Sequence, residues 1–291
     1  MIGTATSQRR DEGSVHRARR AVTRGFLYLS AFAVLGVIVI PVVYGALSGF
    51  RDTAQLASKP IDLPNPWVFV NYADVLRSGS FWQQVWNSTL IALITIAFVL
   101  PVASLAAFAI SRFRFKGREA IYLVFVLGLL FPVAVAILPL FIVVRQLGLL
   151  STVWGVALPQ AAFALPLSIV ILRPFFMSIP RELEEAAILD GAGTFRFYRS
   201  ILLPLSRPAM STIAVLTLVT SWNAFLLPVI VLTDPTKWTL PVGVTNYSTQ
   251  YTTDTARVLA FTTLAMIPAL VFYVIAERQI VKGLSAGAIK G

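Results

Sequence analysis

The chain has 291 residues, of which 57% are hydrophobic and only 13% charged, with a mean hydropathy of +0.79. Soluble domains carry about 25% charged residues, so a water-facing surface is excluded, and the hydrophobicity excludes disorder. The net charge of +11 would suggest nucleic acid in a soluble protein; in lipid it points to cytoplasmic loops rich in Lys and Arg, and no nucleic-acid partner is expected.

Residues 1–25 form a basic cytoplasmic tail that includes Arg17, Arg19, Arg20 and Arg24. Six intervals without ionisable residues follow, at 25–50, 78–111, 120–144, 146–172, 208–233 and 258–276. Each reaches the roughly 17–25 residues a helix needs to cross about 30 Å of hydrocarbon. The helices are predicted near 26–48, 87–110, 120–143, 153–177, 208–232 and 258–277. The opening of the second interval, Phe81–Trp86, reads as an interfacial lead-in because Trp favours the headgroup level. A cleaved signal peptide is the rival reading of the first span, but its apolar core is longer than a typical h-region of about 7–15 residues.

Placing the N-terminus inside puts 18 of the 24 Lys and Arg in the cytoplasm and 6 outside. That bias sets both termini inside. The expected fold class is an all-α membrane protein with six transmembrane helices. Its divisions are the tail 1–25, a permease domain 26–282 with a long cytoplasmic loop 178–207, and a C-terminal tail 283–291.

The spans hold no ionisable group, which argues against proton relays, voltage sensing and charged ion pores. A neutral polar path through Asn87, Gln160, Thr217, Thr220, Ser221 and Asn223 competes with the reading that these groups bond between helices. Prolines 41, 101, 132, 139, 159, 166, 228 and 268 fall within the spans, and each bends or breaks its helix. There is no cysteine and the only histidine is His16, so no metal site is expected. No phosphate loop of the form G-x-x-x-x-G-K-[ST] occurs. The sequence Gly283-Leu284-Ser285-Ala286-Gly287 matches a nucleophile elbow only formally, because no His follows it; it reads as a flexible tail.

The loop between spans 4 and 5 has helical punctuation. Ser178 and Pro180 suit a helix start, and Glu182, Glu184 and Glu185 suit the positive end of a helix dipole. Asp190-Gly191-Ala192-Gly193 ends that helix, since glycine permits the left-handed residue. Thr194 is expected to cap a second helix over 195–203, closed by Pro204. This pair could rest on lipid headgroups or dock a soluble partner, and its residue pattern leaves both open.

Glu185-Ala186-Ala187, Gly191 and Ile201-Leu202-Leu203-Pro204 match the E-A-A-x3-G-x9-I-x-L-P signature. The chain therefore resembles the inner-membrane permeases of binding-protein-dependent ATP-binding-cassette importers. More of it is similar to the carbohydrate branch and its six-span maltose-type subunit. The matching residues are Asn71-Tyr72, Asn87-Ser88, Ile179-Pro180, Trp222-Asn223, Thr239-Leu240-Pro241-Val242-Gly243 and the closing run 281–291.

The resemblance implies a multi-pass subunit of a bacterial or archaeal inner membrane that is not itself an enzyme. Its implied partners are a second related permease, two cytoplasmic ATPase subunits and an extracytoplasmic solute-binding protein, with ATP and Mg held by the ATPase. It assigns coupling to Glu184, Glu185, Ala186, Ala187, Asp190, Gly191, Ile201, Leu203 and Pro204. It also implies a contact of Gly287, Lys290 and Gly291 with the ATPase. From the polar residues of the spans, a solute path is expected near Gln160, Ser221, Trp222 and Asn223. The expected cargo is a sugar or oligosaccharide; the alternatives are another polar solute, such as a glycerol-phosphate diester or amino sugar, a secondary transporter, or a polytopic membrane enzyme.

Overall fold

The computed structural model describes the backbone of residues 5–247 and 253–288, and side chains for 23–247 and 253–274. Helix α1 (Ala5–Ser48) carries the first apolar interval. Within Thr23–Ser48, its most apolar 18-residue window contains no buried residue. Phe26, Leu29, Val37 and Ile40 all face outward. An apolar helix exposed in this way is stable only in lipid or against another apolar chain.

The first outer loop is organised by its polar residues. Arg51, only 2% exposed, donates to the carbonyls of Pro60, Gln55 and Lys59 around the short helix α2 (Thr53–Ser58). In α3 (Val70–Arg77), the Asn71 amide donates to the Gly49 and Arg51 carbonyls at 3.0 and 2.8 Å. Tyr72 donates to Ala46 O at 2.7 Å, and its ring occupies the space a Cβ on Gly49 would need. The Asn71-Tyr72 pair thus folds this loop back on the end of α1.

Helix α4 (Gly79–Arg112) has 34 residues, about 50 Å at 1.5 Å per residue. It outruns the hydrocarbon, consistent with an interfacial first turn. It packs along α7 (Val153–Ser178) in the most extensive helix pair of the described residues. Between them in the chain come α5 (Arg118–Gly128) and α6 (Val133–Gln146), which meet at 100° where a straight helix over 120–143 was expected. Pro132 lacks the N–H that would continue the ladder and takes an extended ψ of 121°, so the span breaks there.

The cytoplasmic loop contains α8 (Glu182–Leu189) and α9 (Thr194–Phe197). A π-turn over Tyr198–Leu202 and the short α10 (Leu203–Leu205) follow. The fifth span is α11 (Arg207–Trp222) and α12 (Leu226–Val231), broken between them. The run from 194 to 205 meets α11 at 75°. Helix α13 (Leu240–Gly243) lies in the last outer loop, and α14 (Thr255–Ala288) is the sixth span. Four helices are long and apolar enough to cross alone, and by length and composition up to six spans result when α5 with α6, and the bent pair that contains α11, are each counted as one.

Three local expectations are corrected. Ser178 ends α7 and donates to Phe175 O instead of capping α8, whose N-cap is Arg181 with no side-chain bond. Thr194 is the first residue of α9 and makes no capping bond. The segment expected to be a flexible tail continues the backbone of α14 as helix through Ala288.

The absence of native cysteine makes orientation directly testable. Lys116→Cys, in the exposed turn after α4, should react with an impermeant maleimide only from the cytoplasmic side. Lys237→Cys should react only from outside. Both positions are exposed, so reversed labelling would refute the N-in arrangement.

Candidate functional site

The loop 178–207 folds into a knob anchored on the inner ends of α4 and α7. Helix α8 ends in a Schellman motif: Gly191, at φ +77°, donates to Ile188 O at 2.9 Å, and Ala192 donates to Ala187 O at 2.8 Å. The positive φ is what glycine provides at this position. Ala187 is buried in the same apolar cluster as Phe108, Phe176, Phe197, Leu202 and Ala192. Its small side chain suits close packing inside this chain, not contact with a partner. Ile201 and Leu203 also pack against that cluster.

The polar side of the knob is tied to span 2. Arg112, the last residue of α4, has a side chain only 3% exposed and lies 3.5 Å from the Glu184 carboxylate. Its Nη2 donates to the Phe176 and Ile179 carbonyls at 2.7 and 2.9 Å. The Tyr198 hydroxyl pairs with Ser104 of α4 at 2.7 Å, and the Tyr198 ring lies 5.0 Å from Phe108. Glu184 is therefore turned inward toward Arg112.

Glu185, Ala186, Asp190, Gly191 and Pro204 are exposed. Beside them Ile188, Leu189 and Phe195 are 60%, 88% and 66% exposed. Three large exposed apolar side chains within one short loop are a feature that marks interaction surfaces.

A second feature is a cavity of about 520 Å³ walled by α4, α7, α11 and the break between α11 and α12. Its polar lining includes Thr95, Gln160, Ser168, Thr217, Thr220, Ser221 and Asn223, and no charged residue faces it; Phe163 and Phe225 supply aromatic walls. Ser221 donates to Gln160 Oε1 at 2.5 Å. Thr95, Ser168, Thr220 and Asn223 donate to main-chain carbonyls of their own helices, which leaves their oxygens as acceptors toward the cavity. Gln160 Nε2 is buried without a hydrogen-bond partner.

The break in span 5 lies at this cavity. Pro228 cannot donate to the Ala224 carbonyl, so the helix interrupts at Asn223, Ala224 and Phe225, all three lining the cavity. Irregular backbone at membrane depth is tolerated where it faces such a space.

Two expected path residues lie elsewhere. Trp222 is 3% exposed in a separate cluster with Val75, Phe81 and Phe261, its ring 5.4 Å from Phe272. Asn87 donates to the Thr236 and Trp238 carbonyls at 2.9 and 3.0 Å, while Ser88 Oγ accepts Leu240 N–H at 2.8 Å. These bonds strap the last outer loop onto α4. A Cβ on Gly243 would overlap the buried Gln84 amide, so a larger residue would require that side chain to move. In the same loop, hydrogen bonds from Thr236 hold the Asp234 carboxyl below the usual carboxylate range.

Gly287 lies on the α14 backbone, while Lys290 and Gly291 fall outside the described residues. Sequence reasoning missed Arg112 and Tyr198. Arg112 is one of four basic residues between 112 and 118, and nothing in that run distinguishes a buried cation from a topological one. Among the described residues no group of three or more His, Cys, Asp or Glu could hold a metal.

Residues 99–285 match the family model described as the binding-protein-dependent transport system inner membrane component. The chain is 35% identical over 256 residues to the diacetylchitobiose uptake system permease protein NgcG of Streptomyces coelicolor, covering 87% of this chain and 85% of that protein. It is 34% identical over 260 residues to the trehalose transport system permease protein SugB of Mycobacterium tuberculosis, covering 89% and 94%. Its fold is similar to a chain in the crystal structure of a bacterial ABC transporter that imports the acidic polysaccharide alginate, with a TM-score of 0.75 at 22% identity over 89% of this chain and 97% of that one. The chain belongs to the binding-protein-dependent transport system inner membrane component family, as a multi-pass permease subunit of an ABC importer in the inner membrane and not an enzyme.

Proposed function

We propose that this permease carries a neutral sugar or oligosaccharide from an extracytoplasmic binding protein to the cytoplasm. The carrying observation is the cavity of about 520 Å³, lined by hydroxyls, the amides of Gln160 and Asn223, apolar walls that include two Phe rings, and no charge. A saccharide presents hydroxyls on its rim and C–H groups on its ring faces, which such a wall complements with hydrogen bonds and apolar contact. An anionic solute such as a glycerol-phosphate diester would meet no cation here, and burying its charge unpaired is costly. The printed substrates of the relatives, diacetylchitobiose and trehalose, support a saccharide cargo.

Energy enters at the knob. The exposed Ile188, Leu189 and Phe195 suit the apolar cleft of a cytoplasmic ATPase subunit, which binds ATP and Mg. A second, related permease presents an equivalent knob to the second ATPase subunit. The outward apolar face of α1 suits that partner permease or lipid. Exposed apolar residues interleaved with carboxylates of both turns, Glu185 and Asp190, suit a protein cleft. The segment around Lys290 and Gly291 is assigned to the ATPase contact on resemblance alone.

Reconstitution with the partner subunits and binding protein tests the cargo. ATP-driven uptake of a labelled neutral disaccharide is expected, and a uronate oligosaccharide of equal length should not compete. Gln160→Leu should slow uptake roughly fivefold to tenfold, the cost of about one lost hydrogen bond. Preferential transport of the uronate would overturn the assignment.

A further inference from the structure

We infer that Arg112 is the positioning residue through which the cytoplasmic knob moves the cavity walls, an inference that rests on the permease reading above. Its guanidinium lies where four elements meet. Arg112 is the last residue of α4. Nη2 binds the carbonyls of Phe176 and Ile179 at the end of α7, where the negative end of the helix dipole favours a cation. Nη1 faces Glu184 in the first turn of α8 at 3.5 Å, and the Phe197 ring of α9 lies 5.9 Å from the guanidinium carbon.

A single rigid fork thus joins both helices of the knob to the two spans that pack most extensively. Those spans carry Thr95 and Gln160 to the cavity, roughly 25 Å further along each helix at 1.5 Å per residue. A surface anchor for the loop would need no such burial. A cation that is 97% buried persists only where its partners hold it, so a shift of α8 that carries Glu184 pulls on the ends of α4 and α7 together. The Tyr198–Ser104 bond provides a second fixed point on α4, so a rotation of the knob becomes a tilt of that helix.

Lysine retains the charge but cannot form the planar fork, so Arg112→Lys separates charge from geometry. The test compares assembled complexes in proteoliposomes, scoring ATPase subunits retained per permease and solute moved per ATP hydrolysed. The expected result for Arg112→Lys is wild-type subunit stoichiometry with at least about a tenfold fall in solute moved per ATP, as from losing a hydrogen bond to a charged group. Glu184→Gln, which keeps both carbonyl bonds, should lower the same ratio roughly twofold to fivefold. An unchanged ratio in Arg112→Lys would overturn the inference. Loss of ATPase subunits in step with transport would overturn it as well, by reducing Arg112 to a scaffold. A wild-type complex with no ATP-driven uptake would instead refute the permease reading.

Discussion

Ala187→Asp should abolish transport while leaving the chain in the membrane. Ala187 is 5% exposed within the cluster of Phe108, Phe176, Phe197 and Leu202. An aspartate there is too short to reach water, and burying it costs several kcal/mol, more than a short loop helix can absorb. The adjacent Ala186 is exposed, so Ala186→Asp should leave the knob folded and change only the face offered outward. Limited proteolysis of the loop 178–207 separates the two: cleavage should accelerate at least about tenfold in Ala187→Asp and stay near wild type in Ala186→Asp. Equal protection in both variants would contradict the inward placement of Ala187.

Gly191→Pro should be nearly as damaging, through the backbone. The φ of +77° is out of reach for proline, and its missing N–H removes the bond to Ile188 O. Asp190, at φ −78° and ψ 8°, is also in a conformation disfavoured before proline. The combined cost is about 3 kcal/mol or more. Gly191→Ala offers a graded control. No heavy atom lies within 4 Å of the added Cβ, so only the positive φ is penalised, by about 1–2 kcal/mol. Uptake per assembled complex should rank wild type, Gly191→Ala, Gly191→Pro, with the last reduced at least about tenfold. Wild-type uptake in the proline variant would show that the turn does not couple.

These two variants mark where the sequence was informative. The apolar intervals and the helix-ending role of Gly191 are local signals, and each corresponds to a feature of the structure. Side-chain direction was not legible. A membrane helix is apolar on every face, so periodicity could not show that Ser221 lines the cavity while Trp222, one residue on, packs beside Phe272. Nor could it show that Ala187 faces inward and Ala186 outward. Pro132 and Pro228 announced interruptions, but the 100° bend and the opening of span 5 onto the cavity depend on neighbouring helices. Asn87 appeared as a neutral polar group within a span. Its role in strapping the outer loop involves carbonyls 149 and 151 residues away, and no local pattern encodes such a contact. Arg112 illustrates the same limit for charge, since a count of Lys and Arg treats buried and solvated cations alike.

In the proposed coupling, the knob meets a cytoplasmic ATPase and not the lipid surface. Leu189→Cys tests it most directly, because Leu189 is 88% exposed and the chain has no other cysteine. In the assembled complex, a short bismaleimide should link this position to the ATPase subunit in high yield, and linkage should stop uptake. A cysteine that instead reacts with a headgroup-tethered lipid probe and forms no link to the ATPase would contradict the account.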